Sequence, residues 1–174
     1  MDLRFEQLGM ATELNYQAAS RDRTVREIGG WVAPAIAHRQ IKFAFDDNSR
    51  PVAYWTWAWL TSTVEQRITG GRLNGLHESE WNEGDHLWFV DLVCLPFYLP
   101  DVISHIAVAQ FPDVEVAHSV RGCKTNARQK LSVWRRARFS RKPVESNSLR
   151  YYLPPGNFAD SLSQLKANQS QTRP

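Results

Sequence analysis

Asp91 stands in the middle of an apolar run, Trp88-Phe89-Val90-Asp91-Leu92-Val93, and is the first residue whose type and setting suggest chemistry. An ionised carboxylate among apolar neighbours is costly unless it is paired or its pKa rises, so its presence there points to a partner or a task. Such a group can accept a proton or orient an imidazole. The structural alternative is a carboxylate that reaches solvent from a half-exposed strand or satisfies a neighbouring backbone group. The five histidines, His38, His77, His86, His105 and His118, are not spaced as a metal site. Cys94 and Cys123 form neither a disulfide framework nor a zinc ligand set and read as reduced thiols. A phosphate-binding loop, a dinucleotide fingerprint, a His-Glu-x-x-His pair and a Gly-x-Ser-x-Gly elbow are all missing from the sequence. Nucleotide, zinc-protease and α/β-hydrolase readings lose their support accordingly.

The second chemical signal is charge. Arg121, Lys124, Arg128, Lys130, Arg135, Arg136, Arg138, Arg141 and Lys142 fall within 22 residues that contain no acid, although the whole chain carries only +3. The remainder is therefore net acidic, and the basic segment calls for an acidic partner. A solvated basic strand pair is the plain alternative. Nucleic acid is the least favoured partner, because no nucleic-acid-binding motif accompanies the charge.

The elements that must position these residues follow from periodicity. Residues 3–19 have helical spacing, and Thr24 or Asp22 can cap a second helix over 25–33. Residues 40–45 and 52–60 read as a strand hairpin across the turn Asp46-Asp-Asn-Ser-Arg-Pro51. The second of these strands carries Trp55, Trp57 and Trp59 on one parity and Tyr54, Ala58 and Leu60 on the other, so both faces should be covered. A short helix over 61–68, a loop over 72–83, the strand over 86–95 and a helix over 101–111 come next. Strands over 114–120, 131–139 and 149–153 complete the order. The expected fold is α/β of the α+β kind, one mainly antiparallel central sheet flanked by helices, in one domain over 1–156. Residues 157–174 are expected to be a polar, disordered tail. The sequence has no run of about 18 apolar residues and no apolar leader behind Asp2, Arg4 and Glu6, so neither a membrane span nor secretion is expected.

A joint pattern carries further. The segment Arg50-Pro-Val-Ala-Tyr54-Trp-Thr-Trp-Ala-Trp-Leu60, followed by Trp81-Asn-Glu-Gly-Asp-His-Leu-Trp-Phe-Val-Asp91, resembles the RTX-toxin-activating lysine acyltransferases. The match continues in Val-Ala-Pro-Ala-Ile at 32–36, in Phe111-Pro-Asp113 and in Val120-Arg-Gly-Cys-Lys-Thr125. The resemblance implies a GNAT-like fold, dimeric in some members, and transfer of a fatty acyl group from acyl carrier protein to internal lysines of an RTX-type protoxin in the cytoplasm. It implies no bound cofactor beyond the acyl-carrier-protein donor. The family's conserved aspartate maps onto Asp91. Amide formation requires a deprotonated lysine, donors for the thioester carbonyl and exclusion of water. Tyr54 is a candidate donor to the thioester oxygen, with a buried structural tyrosine as the alternative. Trp55, Trp57 and Trp59 are candidates for an acyl groove or for plain core. Arg121, Lys124, Arg128, Lys130, Arg135, Arg136 and Arg138 are candidates for docking the acidic carrier protein.

One departure stands against these agreements. The family places a catalytic histidine in a Ser-x-x-His stretch between its first two helices, and counting back from Val32 puts Ser20 at that position, with no histidine before His38. Either Ser20 serves as an activated hydroxyl, or His38 reaches in from the end of the second helix, or catalysis is lost. In the last case the chain is a binding module for acyl carrier protein or a toxin segment.

Overall fold

A computed structural model describes residues 3–18, 23–70, 75–121, 130–135 and 149–152, with the backbone alone described for Arg121, Lys130 and Tyr152. Ser20, most of the basic segment and the expected tail lie outside these residues. The element order is α1 (Leu3–Gln17), α2 (Val25–Ala37), β1 (Ile41–Phe45), β2 (Pro51–Leu60), α3 (Ser62–Thr69), a 3-10 turn (Glu78–Trp81), β3 (His86–Cys94), a 3-10 turn (Pro96–Tyr98), α4 (Leu99–His105), a π turn (Ile106–Gln110), β4 (Val116–Arg121), β5 (Lys130–Arg135) and β6 (Arg150–Tyr152).

The strands form one six-stranded sheet in the order β5-β4-β3-β2-β1-β6, in which only β3 and β4 run parallel. This is the expected α+β architecture. The β1–β2 hairpin turns on Asp46, whose Oδ1 accepts from the backbone N–H groups of Asn48 and Arg50 at 2.9 Å each.

Two apolar layers sandwich the sheet. Ala11, Leu14, Ile28, Val32 and Ala35 of α1 and α2, with Val64 and Ile68 of α3, pack on Phe43, Tyr54, Ala58, Leu60 and Trp88. On the other face Val102 and Ile106 pack on Trp55, Trp57, Leu87 and Phe89. The central strand β2 is enclosed on both sides, as its double apolar parity predicts.

Three local features depart from the sequence expectation. Helix α2 continues past Ala33 and through Pro34, because Ile28, Val32 and Ala35 keep the i, i+4, i+7 spacing and are all buried. Its start is a capping box, with Thr24 Oγ1 accepting from Glu27 N–H at 3.2 Å and Glu27 Oε2 accepting from Thr24 N–H at 2.7 Å. The helix expected over 101–111 divides into α4 and the π turn, where Phe111 N–H donates to Ile106 C=O at 3.2 Å. The loop expected before β3 contains the 3-10 turn of Trp81. Gly84 closes that segment onto β2: its N–H donates to Trp59 C=O at 3.0 Å, and an added Cβ would lie 2.0 Å from Leu60 O. Only glycine fits this approach.

Candidate active site

The position of Asp91 is decided by a one-residue irregularity. In the β2–β3 pairing Thr56 is opposite Asp91 while Trp57 is opposite Phe89, so Val90 is an extra residue on β3. Side chains alternate along a strand, and one added residue reverses the alternation beyond it. Leu87 and Phe89 belong to the α4 layer, and Val93, past the bulge, belongs to the α1–α2 layer with Trp88. Asp91 thereby joins Tyr54 and Thr56 on the α1–α2 face.

There Asp91 is 4% exposed and holds a network. Tyr54 donates its phenol hydrogen to Asp91 Oδ2 at 2.7 Å. Arg23 donates from Nη1 to Oδ2 at 2.6 Å and from Nη2 to Oδ1 at 3.2 Å, a forked ion pair. Asn15 donates through Nδ2 to Tyr54 Oη at 2.7 Å and to Ala11 C=O at 2.8 Å. Hydrogen bonds therefore run from Asn15 to Tyr54 to Asp91, with Arg23 arriving from the other side. Burial raises the Tyr54 pKa far above its ordinary value and the charge of Asp91 adds to this, so the phenol keeps its proton. Burial opposes the Arg23 charge, but the hydrogen bonds and charge of Asp91 outweigh it and hold the guanidinium above its ordinary range. Asn15 Oδ1 and Thr56 Oγ1 are buried with no hydrogen-bond partner among the described residues.

The supports of this site are structural parts of the same motifs. Asn15 comes from the buried stripe of α1, and Arg23 is fixed by the α2 capping box that starts at the next residue. Trp81 is fully buried. Glu65 of α3 ties down the neighbouring strands, accepting from Trp88 Nε1 at 3.2 Å and pairing with His86 Nδ1 at 2.5 Å. His118 Nδ1 stands 3.1 Å from Glu65 Oε1 but off line for a hydrogen bond. Strands β3 and β4 pair at Trp88–His118 and Phe89–Ser119, and Asp91 sits two residues past the last of these pairs.

The structure brings Asp91 and Tyr54 together and places His38 and the three β2 tryptophans elsewhere. The phenol hydrogen of Tyr54 is committed to Asp91. His38 caps the end of α2 and stacks on Trp81 at 6.4 Å, with no described contact to Asp91. Trp55, Trp57 and Trp59 lie across the sheet, Trp55 bonded through Nε1 to Gln110 Oε1 at 2.8 Å and the other two packed edge-on to Phe111. An apolar crevice on that face is lined by Leu87, Phe89, Ile106, Phe111 and Trp134 among others, without the three β2 tryptophans. Of the basic candidates, Arg135 is exposed at the end of β5, Arg121 and Lys130 are placed by backbone only, and Lys124, Arg128, Arg136 and Arg138 lie outside the described residues. Ser20 lies outside them too. Sequence reasoning missed Arg23 and Asn15. The only local signal for Arg23 is its place before the Thr24-x-x-Glu27 box, which fixes where it sits but not what it meets.

The model of the RTX toxin acyltransferase family matches residues 3–135, which include α1, α2 and every residue of this network. The chain belongs to that family. The family match agrees with the lysine acyltransferases that the chain resembles individually. The leukotoxin-activating lysine-acyltransferase of Mannheimia haemolytica serotype A1 is 32% identical over 90 residues, covering 52% of each chain. The RTX-II toxin-activating lysine-acyltransferase of Actinobacillus pleuropneumoniae is 30% identical over 121 residues, covering 69% of this chain and 73% of that one. The chain thus spans about half the length of the first relative and nearly three quarters of the second. Among the described residues no helix is long and apolar enough to cross a membrane.

Proposed function

We propose that the protein is a protein-lysine fatty acyltransferase, taking its acyl group from acyl carrier protein and placing it on internal lysines of an RTX-type protoxin in the cytoplasm. The observation that carries this reading is the enclosed Asp91 carboxylate, gripped by Arg23 and Tyr54, in a chain that the acyltransferase family model matches over residues 3–135. The proposed acceptor class follows the names of the two relatives, lysine-acyltransferases that activate a leukotoxin and an RTX-II toxin.

In this reading Asp91 attracts the acceptor ammonium and takes its proton, leaving an amine that attacks the thioester carbonyl. The C–N bond forms, the C–S bond breaks, and the carrier's thiol departs with a proton. Arginine has five N–H donors, and Arg23 directs one each from Nη1 and Nη2 to Asp91; in this reading the remaining donors serve the developing oxyanion. Tyr54 and Asn15 hold the carboxylate in place. Ser20, three residues before Arg23 in sequence, and His38 are the residues proposed for the role of the family's histidine. The basic segment from Arg121 to Arg138 is the proposed dock for the acidic carrier protein, where charge steering would speed encounter.

The test is incubation with labelled long-chain acyl carrier protein and protoxin fragments, comparing wild type with Asp91→Ala and Ser20→Ala. Label on a protoxin lysine that disappears in Asp91→Ala supports the reading, and Ser20→Ala then shows whether that hydroxyl acts. If donor binds but no label moves, even in Ser20→His, the chain is a non-catalytic relative that binds carrier protein or toxin.

A further inference from the structure

Across the sheet from Asp91 lies a second polar group that the proposed reaction does not use. Lys42 of β1 points into the α4 layer, opposite Trp55 in the hairpin register, and its Nζ is 3.0 Å from His105 Nε2. The His105 ring is stacked on Tyr151 at 3.5 Å and packs edge-on to Trp55 at 6.1 Å. Lys42 is half-buried in this aromatic setting and has no carboxylate partner among the described residues. Burial holds its ammonium below the ordinary lysine range. His105 is pushed down to about 4 by burial and then by Lys42, so it is neutral at pH 7 and accepts from the lysine. The other ionisable groups of the cluster are Tyr151 and Cys94, each raised to about 12, and Asp101, which lies near both. A desolvated lysine held by a neutral acceptor, with no carboxylate paired to it among the described residues, is the arrangement of a nucleophilic amine rather than of a surface ion pair.

We propose that Lys42 is a reactive amine and a site of self-acylation by thioesters, and only the choice of donor class rests on the function proposed above. The uncharged Nζ attacks the thioester carbonyl carbon, a C–N bond forms and the C–S bond breaks. The proton lost from nitrogen leaves with the sulfur as a thiol, and nothing is oxidised or reduced. His105 is a positioning residue: by accepting one N–H of Lys42 it directs the nitrogen lone pair.

The test uses the full chain and S-octanoyl-N-acetylcysteamine, a small thioester that needs no carrier protein, with acylation measured site by site from pH 6 to 9. Lys124, Lys130, Lys142 and Lys166 are internal controls. Lys42 should acylate at least about tenfold faster than each of them at neutral pH, with a profile that levels off at lower pH. His105→Phe, which keeps a ring for Tyr151 and Trp55, should slow Lys42 and shift its profile. Equal rates at all five lysines, or an unchanged Lys42 rate and profile in His105→Phe, would overturn the inference. A parallel reaction with acyl carrier protein and protoxin separates the two readings. Transfer to protoxin with an unreactive Lys42 defeats this inference alone. A reactive Lys42 without transfer supports it and defeats only the reading it borrows its donor from.

Discussion

Arg23 and Asp91, 68 positions apart in the chain, form a forked ion pair in which the aspartate side chain is 1% exposed and the arginine side chain 21%. Arg23 connects the start of α2 to the centre of the sheet by charge. Arg23→Ala removes both bonds of the fork from an enclosed carboxylate and should destabilise the fold by about 3 kcal/mol, read from urea denaturation. Arg23→Lys should recover part of the stability and little of the acyl transfer, because an ammonium cannot reproduce the fork. A lysine variant with full activity would show that the guanidinium geometry plays no part.

Val90 is the extra residue of the β2–β3 pairing. Deleting Val90 makes Asp91 follow Phe89 directly, so regular alternation should keep it opposite Thr56 on the α1–α2 face, and the domain should still fold with a loss of about 1–3 kcal/mol. Val90→Ala keeps the residue count and should cost only about 1–2 kcal/mol. Circular dichroism melts of the pair provide the comparison, and a deletion variant that does not fold would refute the bulge argument.

Trp57 is 7% exposed and packed on Phe111. Trp57→Ala should therefore cost about 3–5 kcal/mol of stability. If the indole is core and nothing more, the KM for acyl carrier protein measured on the folded fraction should be unchanged, whereas a rise in KM would mark it as acyl groove.

Acid should loosen the α4 layer. His105 is lowered from 6.5 to about 4 in the folded protein, first by burial and then by Lys42, so between those values the unfolded chain binds more protons than the folded one. This contribution to stability is complete above pH 6.5 and lost as pH falls to about 4. In His105→Phe the melting temperature should fall less steeply across that window than in wild type. Parallel curves would place the acid sensitivity elsewhere.

Much of this architecture is legible in the sequence because its signals are local. The turn at Asp46, the double parity of β2 and the cap at Thr24 each declare themselves within a few residues. Asp91 is legible as an anomaly, an acid among apolar neighbours. Its partners are not, because Asn15 and Arg23 meet it only after α1 and α2 have packed on the sheet. Strict alternation along β3 would put Asp91 with Phe89 and the tryptophan face, and nothing in Val90 itself signals the bulge that separates them. The extension of α2 through Pro34 shows burial of Ala35 prevailing over a local breaker. The π turn has no sequence mark that we can identify.

The pairing of β6 with β1, Tyr151 opposite Ala44, bears on how the protein is made. A ribosome adds roughly 5–20 residues per second, so the outer edge of β1 waits on the order of 5–20 seconds for its partner strand. During that interval the nascent chain exposes an unpaired edge beside the site where Tyr151 will later cover His105. Chaperone capture is expected at this edge, and the aromatic wall around Lys42 is among the last features of the domain to be assembled.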